Sequence, residues 1–274
     1  MVFRIKGIAL CALVFLVGRL NAHSGSVLPC LAPVIALGTL AAHSASEYVV
    51  VSKAKPLRPE NDRYVRNILR AMGVVEVERV VVGHLDQKGD TSAYASTPLF
   101  VAGPRYVVIG DEAWFDSCDD AHKRFVIGHE AVHLARRHEV KMGALTIGAG
   151  LAALLGDSLL RSGLSCVPGA QDHLLGASRA GFVGSVVFST LLAMRFSRYI
   201  EREADTVAAR ELDAAAGGVA DMQEFKQEID EKVANLSWWQ RALHFCLAPF
   251  RSHPSCNERI AYLQKVAVEQ RGQR

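Results

Sequence analysis

The chain has 274 residues, with 31 Lys and Arg against 28 Asp and Glu, for a net charge of +3. That near balance, with basic residues scattered and without interleaved aromatics, excludes nucleic-acid binding as the main activity. Half of the residues are hydrophobic and the mean hydropathy is +0.15, high for a soluble protein and typical of a membrane-attached one.

Residues 1–46 read as an apolar anchor with two uncharged cores, 7–18 and 27–42. Each core is shorter than the roughly 20 residues a straight bilayer crossing needs. With flanking residues counted, a hairpin of two tight transmembrane helices is the favoured expectation, and a single anchor or a cleaved signal is the alternative. Leu20 is bulky for the −3 position of a cut after Ala22, which argues against cleavage there. Lys53, Lys55, Arg58 and Arg63 follow, and the positive-inside rule assigns them to the cytoplasm.

Residues 47–141 read as a compact α+β module. Strands are expected at 48–51, 77–83 and 99–110, where β-branched and aromatic residues run between Gly and Pro. Tyr64, Ile68 and Leu69 share a helical face over 61–72, and residues 83–91 form a turn. A short strand at residues 92–96 would present an edge to which an extended peptide could add. A helix over 119–138 then brings Phe125, Val126, Ile127, Val132 and Leu134 around a run of ionisable residues.

That run is His129-Glu130-Ala131-Val132-His133, an H-E-x-x-H sequence. Residues four apart project from one helix face, so two imidazoles can bind one Zn²⁺ while Glu130 takes the proton of the attacking water. A catalytic zinc keeps three protein ligands. His138 is one candidate for the third, but no Gly turns the chain between Leu134 and Arg137. A helix continuing through Arg137 would carry His138 away, leaving an ordinary His at a helix end.

Glu201 is the stronger candidate, in Ser197-Arg198-Tyr199-Ile200-Glu201-Arg202-Glu203-Ala204-Asp205. Glu201 and Asp205 share a helix face, so Glu201 can bind the metal while Asp205 hydrogen-bonds a ligand imidazole. Glu203 has the wrong spacing to share that face with Asp205. Without the upstream H-E-x-x-H, the same residues would read as a charged, solvated helix start.

Between these motifs, residues 142–196 form an apolar helical insertion, with runs at 142–156 and 174–194. Transmembrane, membrane-dipping and buried core helices are all open for it, and membrane contact is favoured. The remainder is helical, with elements at 220–235 and 258–270. Trp238, Trp239, Phe245, Leu247 and Phe250 form an aromatic cluster, expected to pack as core, with an interfacial belt as the alternative. The six Cys show no C-x-x-C pair and read as small buried hydrophobes; His244, Cys246, His253 and Cys256 fit no common structural-zinc spacing.

H-E-x-x-H followed by S-R-x-x-E-x-x-A-D resembles the signature of the HtpX-like and CAAX prenyl endopeptidase zinc metalloproteases. Two further stretches carry the resemblance. Ser92-Ala93-Tyr94-Ala95 is similar to the family's N-A-[FY]-A strand, with Ser in place of Asn. Ser252-His253-Pro254 through Arg259-Ile260 is similar to its C-terminal [ST]-H-P-x-x-x-x-R-I box. The resemblance implies His129, His133 and Glu201 as zinc ligands and Glu130 as catalytic base. It gives Asp205 and Arg259 supporting roles, and Ala93, Tyr94 and Ala95 a substrate-binding edge. It places His253 near the active site, where it could stabilise the oxyanion, cap a turn or act as an inhibitory fourth ligand.

The expected fold is α+β: a mainly helical zincin-type domain over 47–274, with a small β-sheet and apolar membrane-associated helices. The expected activity is a membrane-associated zinc endopeptidase acting on protein or peptide substrates in membrane-protein quality control. Its expected site is the inner membrane, with the catalytic domain cytoplasmic. A metal-stabilised binding or chaperone protein and an exported soluble protease are the rival readings.

Overall fold

A computed structural model describes residues 54–82, 93–96, 105–166, 174–246 and 253–272. The anchor at 1–46, the strand at 48–51, the turn at 83–91 and Ser92 lie outside these residues. The chain divides into two compact units, Met1–Ala41 with Ala144–Thr190 and Ala42–Gly143 with Leu191–Arg274.

The second unit holds a four-stranded sheet of order β1-β2-β4-β3. Its strands are β1 (Lys55–Pro56), β2 (Arg79–Val82), β3 (Ala93–Ser96) and β4 (Tyr106–Ile109). β2 and β4 are parallel, with Val80 opposite Val107. β3 runs antiparallel to β4, with Tyr94 opposite Val108, and forms one end of the sheet. Alternation along the strands sends Val80, Val82, Val107 and Ile109 into the main core, while Val81 and Val108 form a small cluster on the opposite face.

Helix α1 (Pro59–Ala71) starts with Pro at its first position and is closed, after Met72, by Gly73, whose φ of 76° favours a glycine. A short helix, α2 (Glu112–Ser117), was not apparent from periodicity; Asp111 caps it by accepting from the Ala113 N–H at 2.9 Å. Asp119 caps α3 (Asp120–Arg136) in the same way, through the His122 N–H at 2.7 Å. Helix α3 is buried on several sides because α1, β3 and α6 (Ala215–Ala234) all pack on it. Close approach to α6 is written in glycine: a Cβ on Gly217 would lie 2.2 Å from the Ala121 backbone, and one on Gly218 2.5 Å from the Phe125 ring.

Contrary to the expected helix through residue 138, α3 stops at Arg136. Arg137 adopts the left-handed conformation, φ 53° and ψ 45°, and α4 (His138–Ser165) begins at the next residue. Glu201 does not sit at a helix start either; it lies well inside α5 (Leu174–Glu211), one continuous helix of 38 residues. The chain closes with α7 (Trp238–Cys246) and α8 (Cys256–Gly272), and α8 packs on α6.

Within the first unit, Leu151, Leu155 and Leu159 of α4 recur every four residues and are all exposed, as are Val187 and Phe188 of α5. Among the described residues, no helix is long and apolar enough to cross a membrane. The described members of the aromatic cluster depart from the core expectation, since Trp238, Trp239 and Phe245 are exposed; Leu247 and Phe250 lie outside the described residues. Cys166 is likewise exposed, while Cys118 and Cys256 are partly buried.

Candidate metal centre

Helices α3 and α5 meet where Gly128 removes a side chain. A Cβ there would lie 2.4 Å from Leu212 Cδ1 and 3.2 Å from Ala208 Cβ. This close approach brings the next residue, His129, to the α5 face that carries Glu201 and Asp205. His129 Nε2 lies 3.0 Å from His133 Nε2, and each is 3.5 Å from an oxygen of Glu201. One ligand atom from each of these residues falls within 4.8 Å of the other two.

A tetrahedral zinc with bonds of about 2.0–2.1 Å separates its donors by roughly 3.3–3.4 Å. The observed spacings bracket that value. Two imidazoles and one carboxylate also form a recurrent donor set of catalytic zinc, so the residues present fit the ion.

Each donor is held by neighbours. His129 Nδ1 lies 2.8 Å from Asp205 Oδ1, and Asp205 is fully buried. Arg259 of α8 donates to both oxygens of Asp205, from Nε at 2.7 Å and from a terminal nitrogen at 2.5 Å. The Tyr262 hydroxyl, one turn along α8, donates to the same carboxylate. Ser255 and Glu258 start α8 as a capping box: the Ser255 N–H donates to Glu258 at 2.8 Å, and the Glu258 N–H returns to Ser255 Oγ at 3.3 Å. Arg198 of α5 pairs with the same Glu258 at 2.9 Å, which sets α8 against α5.

These contacts set the charges of the cluster. Burial opposes a charge on His129, but the Asp205 hydrogen bond and the carboxylates of Asp205, Glu201 and Glu130 raise its pKa to about 9. Burial and the neighbouring His129 lower His133 to about 3. Burial acts to raise Glu201, yet the hydrogen bond from His253 and the nearby imidazoles hold its carboxyl well below the usual range. Asp205 is lowered to about 2 against its burial by His129 and Arg259. The site is thus a preformed anionic pair facing two imidazoles.

Of the other residues singled out from sequence, Glu130 is half-buried on α3 beside His129. His253 Nδ1 lies 3.1 Å from Glu201 Oε2, with its side chain 43% exposed. Ala93, Tyr94 and Ala95 form the edge strand β3, which packs against α3. Tyr262 and Glu258 were not singled out, although the S-x-x-E box and the spacing of Arg259 and Tyr262 carried the signal. His138 was set aside, yet its Nδ1 lies 3.0 Å from His133 Nδ1 because the left-handed turn at Arg137 brings it back.

The crystal structure of S. mikatae Ste24p is similar over 96% of this chain and 65% of that chain, at 16% identity and a TM-score of 0.52. At that identity the likeness is one of fold, and this chain spans less than two-thirds of the other's length. No curated protein sequence matches this chain. The profile of peptidase family M48 matches residues 60–267, which include the whole donor cluster and the box that starts α8. The chain belongs to peptidase family M48.

Proposed function

We propose that this chain is a membrane-associated zinc endopeptidase in which His129, His133 and Glu201 bind the ion. The observation that carries the reading is the donor triangle of His129, His133 and Glu201: the two Nε2 atoms lie 3.0 Å apart, Glu201 Oε2 lies 3.5 Å from that of His129 and Glu201 Oε1 3.5 Å from that of His133. Zinc supplies Lewis acidity, making water a nucleophile near neutral pH and polarising the scissile carbonyl. Glu130 accepts the proton of that water and later delivers it to the leaving amine. His253, partly exposed at the rim of the cluster, donates a hydrogen bond to the oxyanion. Asp205 keeps His129 oriented with its proton on Nδ1, so that Nε2 offers its lone pair.

Substrate lies as an added strand on β3, held through main-chain hydrogen bonds. Such a grip tolerates many sequences, which suits unfolded protein substrates and quality control. The exposed Leu151, Leu155 and Leu159, together with Trp238 and Trp239, support contact with a membrane surface.

The test is casein cleavage by the full chain purified in detergent, beside its E130Q variant, with zinc measured in both. Stoichiometric zinc in both and cleavage only by the wild type is the expected result. Cleavage retained in E130Q overturns the role of Glu130, and protein that takes up no zinc overturns the reading as a whole.

A further inference from the structure

Resting on the zinc reading above, we infer that His138 and Glu203 are positioning residues that hold the metal-binding tautomer of His133. The support of His129 by Asp205 leaves the second imidazole to be explained. His133 turns Nε2 towards the donor triangle, and its other nitrogen meets His138 Nδ1 at 3.0 Å. Two imidazole nitrogens at that distance share one proton. A ring that offers Nε2 to a metal carries its proton on Nδ1, so His133 donates and His138 accepts.

That assignment fixes the next one. A neutral His138 that accepts at Nδ1 carries its proton on Nε2, which lies 3.3 Å from Glu203 Oε2. His138 is 1% exposed, and its Nε2 is a buried polar atom lacking hydrogen-bond geometry to any partner. Glu203 is the acceptor within reach. Its side chain is 24% exposed, with Arg136 Nε at 3.8 Å, so a small rotation completes the bond. Glu203, His138 and His133 then form one chain of donors and acceptors with a single consistent direction.

The backbone provides for this contact. The chain leaves α3 through a left-handed arginine, a conformation that a residue with a Cβ adopts only at a cost. The result is that His138 returns against His133 and not to solvent. An ordinary helix-end histidine would need no such turn.

The experiment measures zinc affinity of the full chain by competition with a chelator, in wild type, H138F, H138Q and E203A. The thermal midpoint of each metal-free protein is read alongside. H138F keeps bulk but offers no acceptor, and its zinc affinity is expected to fall about 10–100-fold. H138Q can accept from His133 and donate to Glu203, and should regain most of that loss. E203A removes the terminal acceptor from a partly exposed position and should lose affinity several-fold; it serves as the test if H138F does not fold. Wild-type affinity in H138F or E203A, or equal losses in H138F and H138Q, overturns the inference while leaving the zinc site intact. Wild-type protein that takes up no zinc overturns both.

Discussion

Asp205 Oδ1 stands 2.8 Å from His129 Nδ1, and the carboxylate that orients this imidazole is itself anchored by Arg259. One buried anion therefore links α3, α5 and α8, and its removal should be felt in stability as well as in metal binding. D205A leaves the Arg259 guanidinium, only 12% exposed, without its partner. Breaking a buried pair from one side costs about 3–5 kcal/mol. Chemical denaturation of the metal-free protein should show a loss of that order; a loss below about 1 kcal/mol would mean that water or another group takes over the charge.

A second pair, a buried histidine with a half-buried aspartate, gives a pH signature. His122 Nε2 of α3 lies 3.0 Å from Asp221 Oδ1 of α6. That hydrogen bond raises the His122 pKa against the effect of burial, and the charges of Asp221, Glu224 and Asp119 add to it. With the folded value above the unfolded one, the stabilisation is complete below the ordinary histidine pKa of about 6.5. It is lost as pH rises through the raised folded value. The difference in thermal midpoint between wild type and D221N should therefore be largest on the acid side of neutrality and shrink in alkali. A difference that does not change with pH would show that the pair acts through shape alone.

Gly128 and Gly217 make different demands, and substitution should separate them. Alanine at 128 meets the mobile end of Leu212 at 2.4 Å and Ala208 Cβ at 3.2 Å, so one side chain must swing and one contact must give. Overpacking of this kind costs about 1–3 kcal/mol. Alanine at 217 meets the Ala121 carbonyl carbon and oxygen at 2.2 Å, where only backbone movement provides relief. G217A is expected to be the more damaging in denaturant melts, and the reverse order would contradict the packing of α6 on α3.

What could be read from the sequence, and what could not, follows the range of each interaction. The pairs His129–His133 and Glu201–Asp205 were legible because helical periodicity alone puts both members on one face, whatever the tertiary packing. The strands β2 and β4 were legible as valine-rich runs, although β4 is confined to Tyr106–Ile109 among the described residues. Helix α2 escaped because six residues give too little periodicity. Tyr262 escaped because its partner is 57 positions away and only its place one turn beyond Arg259 pointed to it. The exposure of Trp238 and Phe245 was misjudged since composition cannot say which side of an amphipathic helix meets a neighbour. The largest error concerned His138, where the absence of glycine was taken to mean the absence of a turn.

That turn supplies a further test. Arg137 holds φ 53°, its N–H donates to Leu134 O at 3.2 Å, and its carbonyl accepts the Lys141 N–H at 3.1 Å. Glycine takes this conformation without a Cβ penalty but loses more backbone freedom on folding, a cost of about 0.5–1 kcal/mol. The two effects oppose each other, so R137G should stay within about 1 kcal/mol of wild type and bind zinc equally well. Proline cannot: its φ is locked near −65° and it has no N–H, and together these cost about 3 kcal/mol or more. R137P should lose stability and also zinc affinity, because α4 would no longer begin with His138 against His133. Denaturation and chelator competition on the two variants would show whether the backbone conformation or the arginine side chain is what position 137 requires. Equal loss in R137G and R137P would assign the requirement to the side chain.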